Sequence, residues 1–287
     1  MKTALVFGAS GQIGAPLLER LQGDDWNIVA VSRSVHGDMP RLTWKRGDFA
    51  NVPELPSRVD ALFCCGPLDL FSQWYAGSDI EAPRVVAFGS TSVHVKRDST
   101  DPRERDLARR LREGEQRLLE AAAAHGARAT VLRPTLVYGR GRDATLSRIA
   151  GLARRHGRFP LPRNANGLRQ PVHVDDLADA ALTVAKAERL SQSAYDLPGG
   201  ETLSYPDMVG RVLACLDPPA KLIELPSPLF KSLLVLARMG GRAQEFGDAA
   251  LARMREDLVF EAGPARRDFG YAPRTFAPTA EMFKPQS

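Results

Sequence analysis

One run of glycines constrains this chain more than any other stretch. Gly8-Ala9-Ser10-Gly11-Gln12-Ile13-Gly14 follows the apolar run Thr3–Phe7 and precedes Ala15-Pro16-Leu17-Leu18-Glu19-Arg20-Leu21, which reads as a helix. Pro16 suits a first helical turn, where a missing N–H costs little. A glycine-rich turn between a strand and a helix lets the backbone come close to an anion, with amide groups and the helix N-terminus facing its charge. The arrangement predicts a dinucleotide crevice bordered by Gly8, Ser10, Gly11, Gln12, Ile13 and Gly14. Gly14 is expected where backbone and pyrophosphate meet, so that a side chain there blocks binding without unfolding the chain.

Strand-like runs recur at Asn27–Ser32, Leu42–Lys45, Ala61–Cys65, Arg84–Phe88 and Ala129–Leu132, and a long helical segment covers Asp106–His125. Alternating strands and helices with nearly continuous apolar strands predict a parallel sheet covered on both faces. The link from Pro67 to Pro83 is short for a full crossover helix, so a reduced layer is expected there. After Pro134 come an arginine-rich stretch, a loop with three prolines, a helix over Asp175–Glu188 and a strand over Ala194–Leu197. The tail from Thr202 reads as helical and proline-punctuated. The expected fold is α/β: a doubly wound parallel (Rossmann) sheet with a smaller, mainly helical C-terminal substrate domain. Residues 1–156 and 170–200 are assigned to the dinucleotide-binding domain, and 157–169 and 201–287 to the substrate domain.

Three cysteines, Cys64, Cys65 and Cys215, provide neither an even disulfide framework nor metal-ligand spacing, and no metal is expected. Cys64 and Cys65 point to opposite faces if their run is a strand. The first apolar run stops at Phe7, too short for a signal peptide, and Lys231 interrupts the most apolar C-terminal piece, Leu229 to Ala237. The sequence is read as cytoplasmic with no membrane partner. Net charge is +5. Its densest arginines, Arg140, Arg142, Arg148, Arg154, Arg155, Arg158, Arg163 and Arg169, lack the interleaved aromatics of a nucleic-acid stacking platform. They suit either a small anionic substrate or a solvated basic face.

The second strand ends at Val31-Ser32-Arg33-Ser34, where an acid would meet the ribose hydroxyls of NAD. No acid is present. Arg33 can pair with a 2′-phosphate, with Ser32 or Ser34 donating to it, so NADP(H) is the expected cofactor and NAD(H) the alternative. Asp48 can reach the adenine amino group or serve as a turn aspartate. Gly66 ends the fourth strand, where close approach to the cofactor favours glycine.

These residues resemble the short-chain dehydrogenase/reductase superfamily in its extended, atypical branch, the NAD-dependent epimerase/dehydratase family. The spacing Gly8-x-x-Gly11-x-x-Gly14 carries the likeness first. Asp60-Ala61-Leu62-Phe63-Cys64-Cys65-Gly66, Phe88-Gly89-Ser90-Thr91-Ser92-Val93 and Arg133-Pro134-Thr135-Leu136-Val137-Tyr138-Gly139 extend it, followed by Val172-His173-Val174-Asp175-Asp176-Leu177-Ala178 and Tyr195-Asp196-Leu197-Pro198-Gly199-Gly200. The resemblance implies a Tyr-x-x-x-Lys pair on the helix after the serine strand, but Leu107 and Leu111 occupy those places and the pair occurs nowhere in the chain. It implies Ser90 as the serine facing the reacting oxygen. His94, replacing a usual tyrosine, and Tyr138 are the remaining catalytic candidates, against roles as a surface histidine and a packing tyrosine. In His173-Val174-Asp175-Asp176, Asp175 is expected to cap the following helix and Asp176 to complement its dipole. The implied activity is an NAD(P)-binding oxidoreductase or epimerase/dehydratase-like enzyme acting on an anionic small molecule such as a nucleotide sugar. The alternative is a non-catalytic NADP(H)-binding redox sensor or assembly subunit. A homodimer remains open.

Overall fold

Alternate residues of the first strand face two different cores, which sets the layering of the molecule. The computed structural model describes residues 1–239 and 248–284. It begins with β1 (Lys2–Phe7), α1 (Gly14–Gly23), β2 (Trp26–Ser32), β3 (Leu42–Arg46), β4 (Ala61–Cys64) and α2 (Leu68–Ala76). Next come β5 (Arg84–Phe88), the four-residue α3 (Ser92–Val95), α4 (Pro102–Ala124) and β6 (Arg128–Pro134). β7 (Val137–Tyr138), α5 (Leu146–His156), β8 (Arg158–Pro162), β9 (Leu168–Arg169), β10 (Val172–His173) and α6 (Val174–Lys186) follow. Then come β11 (Ala194–Leu197), β12 (Leu203–Ser204), α7 (Tyr205–Ala214) and β13 (Lys221–Leu225). Three further helices, α8 (Ser227–Met239), α9 (Asp248–Arg253) and α10 (Gly263–Phe269), lead to a 3-10 turn at Ala280–Phe283.

Seven strands form one parallel sheet in the order β3-β2-β1-β4-β5-β6-β11. The strand order reverses between β1 and β4, and a crevice opens at their carboxyl ends, as a doubly wound sheet requires. Ala4 and Val6 of β1 pack with Leu17 and Leu21 of α1 and Leu177 and Ala181 of α6. Leu5 and Phe7 pack on the other face with Phe71 and Tyr75 of α2 and Leu118 of α4. Each fully buried side chain of this size contributes about 1.5–3 kcal/mol. Cys64 joins the second of these cores and Cys65 packs against the first, on opposite faces as expected.

Several boundaries differ from the sequence reading for identifiable reasons. Helix α4 starts at Pro102 rather than Asp106, because Asp101 caps it, accepting from the Arg103 N–H at 2.9 Å, and Pro102 occupies its first turn. The reduced Pro67–Pro83 link still holds a nine-residue helix, α2. The proline loop contains a strand: β8, with Pro160 and Pro162, pairs in parallel with β13, in the tail that reads as helical. A two-stranded ribbon consists only of edges, where prolines are tolerated.

A third core gathers Leu146, Ile149 and Ala153 of α5 with Met208 and Val212 of α7, Phe276 and Phe283. Helix α5, assigned by sequence to the nucleotide-binding segment ending at 156, packs in this core against α7 of the 201–287 segment. Of the 201–287 segment, residues 240–247 and 285–287 lie outside the described residues.

Gly14 has a steric role within the protein itself. A Cβ there would lie 2.2 Å from the Gly8 carbonyl oxygen and 2.7 Å from that of Ala9, so α1 rests directly on the turn. The expectation that a Gly14 side chain would leave the chain folded therefore meets a steric cost inside the protein itself. Gly14→Ala is expected to destabilise the ligand-free protein by about 1–3 kcal/mol, the usual cost of overpacking. Gly23→Ala, at a helix end with nothing within 4 Å, serves as the control. Urea midpoints measure both, and equal midpoints for the two variants would disprove the packing role.

Candidate active site

At the switch point the chain turns at Gly8, whose φ of +70° belongs to the left-handed region. A Cβ there would come within 2.8 Å of the Cys65–Gly66 backbone. The Gly11 N–H closes the turn onto the Gly8 carbonyl at 2.9 Å. No side chain caps α1 and its first turn carries no acid, so its N-terminus suits an anion. A crevice of about 470 Å³ opens here, bordered by Gly8, Ser10, Gly11, Ser32, Arg33, Asp48, Phe49, Gly66 and Arg142.

The remaining sequence-predicted residues lie around this crevice rather than in its wall. Ile13 is a core residue. The Gln12 Oε1 is buried without a hydrogen-bond partner among the described residues. Ser34 donates its backbone N–H to the Ser32 hydroxyl at 3.1 Å. That hydroxyl also meets Ser10 Oγ at 2.8 Å and His36 Nε2 at 3.3 Å, while the His36 ring stacks on Trp44. Asp48 holds its own turn, accepting from the N–H groups of Ala50 and Asn51 at 2.9 Å each. Arg33 is exposed and pairs with no side chain among the described residues. The open cradle at the turn and the unpaired Arg33 fit a dinucleotide phosphate chain.

Ser90 follows β5, which pairs with β4, so it stands at the strand end next to the crevice. It lines a second cavity of about 340 Å³ with Lys96, Thr135, Arg148, Arg169, Tyr205 and Arg253. Ser90 Oγ accepts from the Ser92 N–H at 3.1 Å. The neighbouring hydroxyls are spent on backbone, Thr91 on the Pro134 carbonyl and Thr135 on that of Gln170. Behind the serine, Glu115 holds Arg133 with two parallel hydrogen bonds, at 2.9 and 2.5 Å. Burial, the largest influence, opposes the Arg133 charge, but Glu115 and Asp196 together more than restore it, leaving that guanidinium above its ordinary value. Burial lowers the Lys96 ammonium, and Glu104, 3.9 Å away, only partly offsets this. Glu104 is held in turn by Ser99 at 2.7 Å and by Arg253. Leu107 and Leu111 are half-buried on α4 and do not line this cavity. Lys96 was missed because only the fold brings it to this site, while Arg142, read by sequence as part of an arginine segment for an anionic substrate, borders the first crevice.

The other predicted residues are placed elsewhere. His94 is exposed, with Nε2 3.2 Å from Asp196 and 3.4 Å from Arg133, and it does not line the Ser90 cavity. Tyr138 is a core residue, edge-on to His173 and Phe276, and burial pushes its hydroxyl up to about 12. The α6 cap is His173, not Asp175. Its Nδ1 accepts from the Asp175 N–H at 3.2 Å. Asp175 and Asp176 occupy the first turn, where Asp176 binds Arg274 at 2.8 Å. The arginine segment divides into separate roles. Arg142 lines the crevice and Arg148 the Ser90 cavity, whereas Arg154 is structural, donating to the carbonyls of Phe283 and Ala280 at 2.8 and 2.9 Å. Arg169 is likewise buried and donates to the carbonyls of Leu168, Glu256 and Arg253. Arg155, Arg158 and Arg163 are exposed. Among the described residues no helix is long and apolar enough to cross a membrane, and no cluster could hold a metal ion.

A seven-stranded parallel sheet with a glycine turn at its switch point and a serine at the neighbouring strand end defines a Rossmann-type protein. The model of the NAD dependent epimerase/dehydratase family matches residues 73–197. The 2-alkyl-3-oxoalkanoate reductase of Stenotrophomonas maltophilia is 30% identical, over 94% of this chain and 94% of its own length. UDP-glucuronic acid 4-epimerase from Bacillus cereus, solved in complex with NAD, superposes with a TM-score of 0.71 at 12% identity, covering 98% of this chain and 96% of its own. The Bordetella bronchiseptica enzyme WbmF, solved with NADH, gives 0.69 at 14% identity, covering 98% and 89%. The chain belongs to the NAD-dependent epimerase/dehydratase family.

His173 gives this region a pH signature. Burial, the largest influence, holds its imidazole below its ordinary value, with Asp175 opposing. Unfolding therefore takes up a proton that the folded state resists. The stability this residue confers is complete above about pH 6.5 and erodes as pH falls below it. His173→Asn, which keeps a capping side chain, is expected to flatten the loss of stability between about pH 6.5 and 5. Urea midpoints across that range test this, and parallel profiles for both proteins would refute it.

Proposed function

We propose that this chain is an NADP(H)-dependent oxidoreductase or epimerase/dehydratase-type enzyme acting on an anionic small molecule, with Ser90 orienting the reacting oxygen. The carrying observation is the pairing of two cavities on neighbouring strand ends: a crevice with an unpaired Arg33, and a Ser90 cavity bordered by Lys96, Arg148 and Arg253. Arg33 and the absence of an acid after β2 support preference for a 2′-phosphate. Relatives support the substrate class from two sides, a 2-alkyl-3-oxoalkanoate reductase and proteins solved with UDP-sugars. Both substrate types join a polar reacting centre to an anionic group.

The nicotinamide, when bound, supplies or accepts hydride. The chain's own residues must hold the anion, orient the oxygen and move the proton. Leucines at 107 and 111 cannot transfer a proton. Ser90 can donate to a carbonyl oxygen, and Lys96 is the cavity cation that burial most readily brings to release one. The same two leucines favour a second reading, a nucleotide-binding sensor or assembly subunit without turnover.

The two readings separate in one experiment. NADPH is expected to bind about ten- to a hundredfold more tightly than NADH, the worth of a charge-assisted contact, and Arg33→Ala should erase the difference. NADPH oxidation is then followed against 3-oxo carboxylates, nucleotide sugars and quinones. Turnover that falls at least about tenfold in Ser90→Ala supports the enzyme. Silence across all three classes while NADPH still binds supports the sensor, and equal affinity for the two cofactors removes Arg33 from its assigned role.

A further inference from the structure

Arg142 is 132 residues from Ser10 in sequence, yet its Nη1 donates to the Ser10 carbonyl at 2.5 Å and its side chain borders the crevice. The segment carrying it is braced at several points. Arg140 binds Glu19 of α1 at 2.7 Å. The Gly141 N–H donates to the Met282 carbonyl at 2.7 Å, and a Cβ at Gly141 would strike the Lys284 carbonyl at 2.1 Å. Asp143 Oδ1 accepts from the N–H groups of Thr145, Leu146 and Ser147, fixing the start of α5. Arg142 is therefore held against the glycine turn by a rigid strap.

Its charge has no ion-pair partner among the described residues. Arg140 is spent on a carboxylate, but no carboxylate among the described residues pairs with Arg142, and its only protein hydrogen bond there goes to a neutral carbonyl. The side chain is exposed at the rim. A guanidinium anchored at one nitrogen beside an uncapped helix N-terminus presents its remaining donors in a fork that matches phosphate oxygens. Arg33 stands at the end of β2, on the adenosine side, whereas Arg142 stands over the turn itself.

We propose that Arg142 is a second cationic ligand of the dinucleotide, gripping its pyrophosphate across the crevice from Arg33. This rests on the reading of the crevice as a nucleotide site. It assigns the two arginines different targets: Arg33 the phosphate that distinguishes NADP from NAD, Arg142 the one common to both.

Calorimetry on the full chain tests this with three probes: NADPH, NADH and ADP-ribose, the last carrying the pyrophosphate without nicotinamide or 2′-phosphate. Arg142→Ala is expected to weaken all three by a similar factor, about tenfold, and Arg142→Lys to recover part of the loss. Arg33→Ala should weaken NADPH alone. Thermal midpoints without ligand control for folding, and Arg142→Lys keeps the test valid if the alanine variant is unstable. Unchanged affinity for all three probes in a folded Arg142 variant overturns the assignment while leaving the nucleotide reading intact. Loss confined to NADPH overturns it too, moving Arg142 to the 2′-phosphate. A wild-type protein that binds none of the probes overturns the nucleotide reading itself.

Discussion

With no side chain at Gly14, α1 settles onto the turn until only the carbonyl oxygens of Gly8 and Ala9 stand against it. This contact sets the height of the helix over the sheet. At that height Leu17 and Leu21 reach the core shared with α6, and the helix N-terminus looks into the crevice. Gly8 does the same on the other side, bringing the end of β1 against the Cys65–Gly66 backbone. The hydroxyls of Ser10 and Ser32 then tie the turn to the end of β2. The crevice is thus a by-product of close backbone packing, and the packing contributes to stability whether or not a ligand is present.

Beside the neighbouring strand the charged groups stand elsewhere than on the α4 positions that the family's pair would take. The α4 positions that would carry a tyrosine and a lysine hold leucines, yet the same helix sends Glu115 to Arg133 directly behind the serine segment. Such a pair is worth little against a well-packed apolar substitute, but removing one member leaves a buried charge, at about 3–5 kcal/mol. Its observed consequence is positional: Glu115 Oε1 would lie 2.9 Å from a Cβ at Gly89, so the residue preceding Ser90 has no room to grow. The cations around Ser90 come from separate parts of the chain, Lys96 after α3, Arg148 from α5 and Arg253 from α9.

The central sheet was legible because its signals are local. Apolar runs of strand length, a glycine turn and alternating helices identify it without reference to distant residues, and β5 and β11 match their expected limits residue for residue. The turn and the end of β2 were legible for the same reason, and the fold brings Gly8, Gly11, Ser32 and Arg33 to one crevice. What failed depends on partners far along the chain. Tyr138, by sequence either a catalytic candidate or a packing tyrosine, packs edge-on against Phe276 and His173. Arg154 looked like a ligand for anions, but its partners are carbonyls near residue 280. Strand β8 was hidden by its prolines and by a mate some sixty positions later in the tail. His173 as a helix cap gives no sequence signal beside two aspartates, which are the commoner caps.

The strap from Gly139 to Arg148 borders both cavities and is braced by the Met282 carbonyl, which receives the Gly141 N–H, while the Phe283 carbonyl holds Arg154 of the helix that follows. Those braces are made from residues that leave the ribosome long after the strap itself. The strands of the sheet and its first turn lie within residues 2–197, although the core under α1 and α6 also takes in Ala262, Ala265 and Tyr271. The wall shared by the two cavities therefore leans on the last residues of the chain that the structure describes, whereas the glycine turn leans on some of the first.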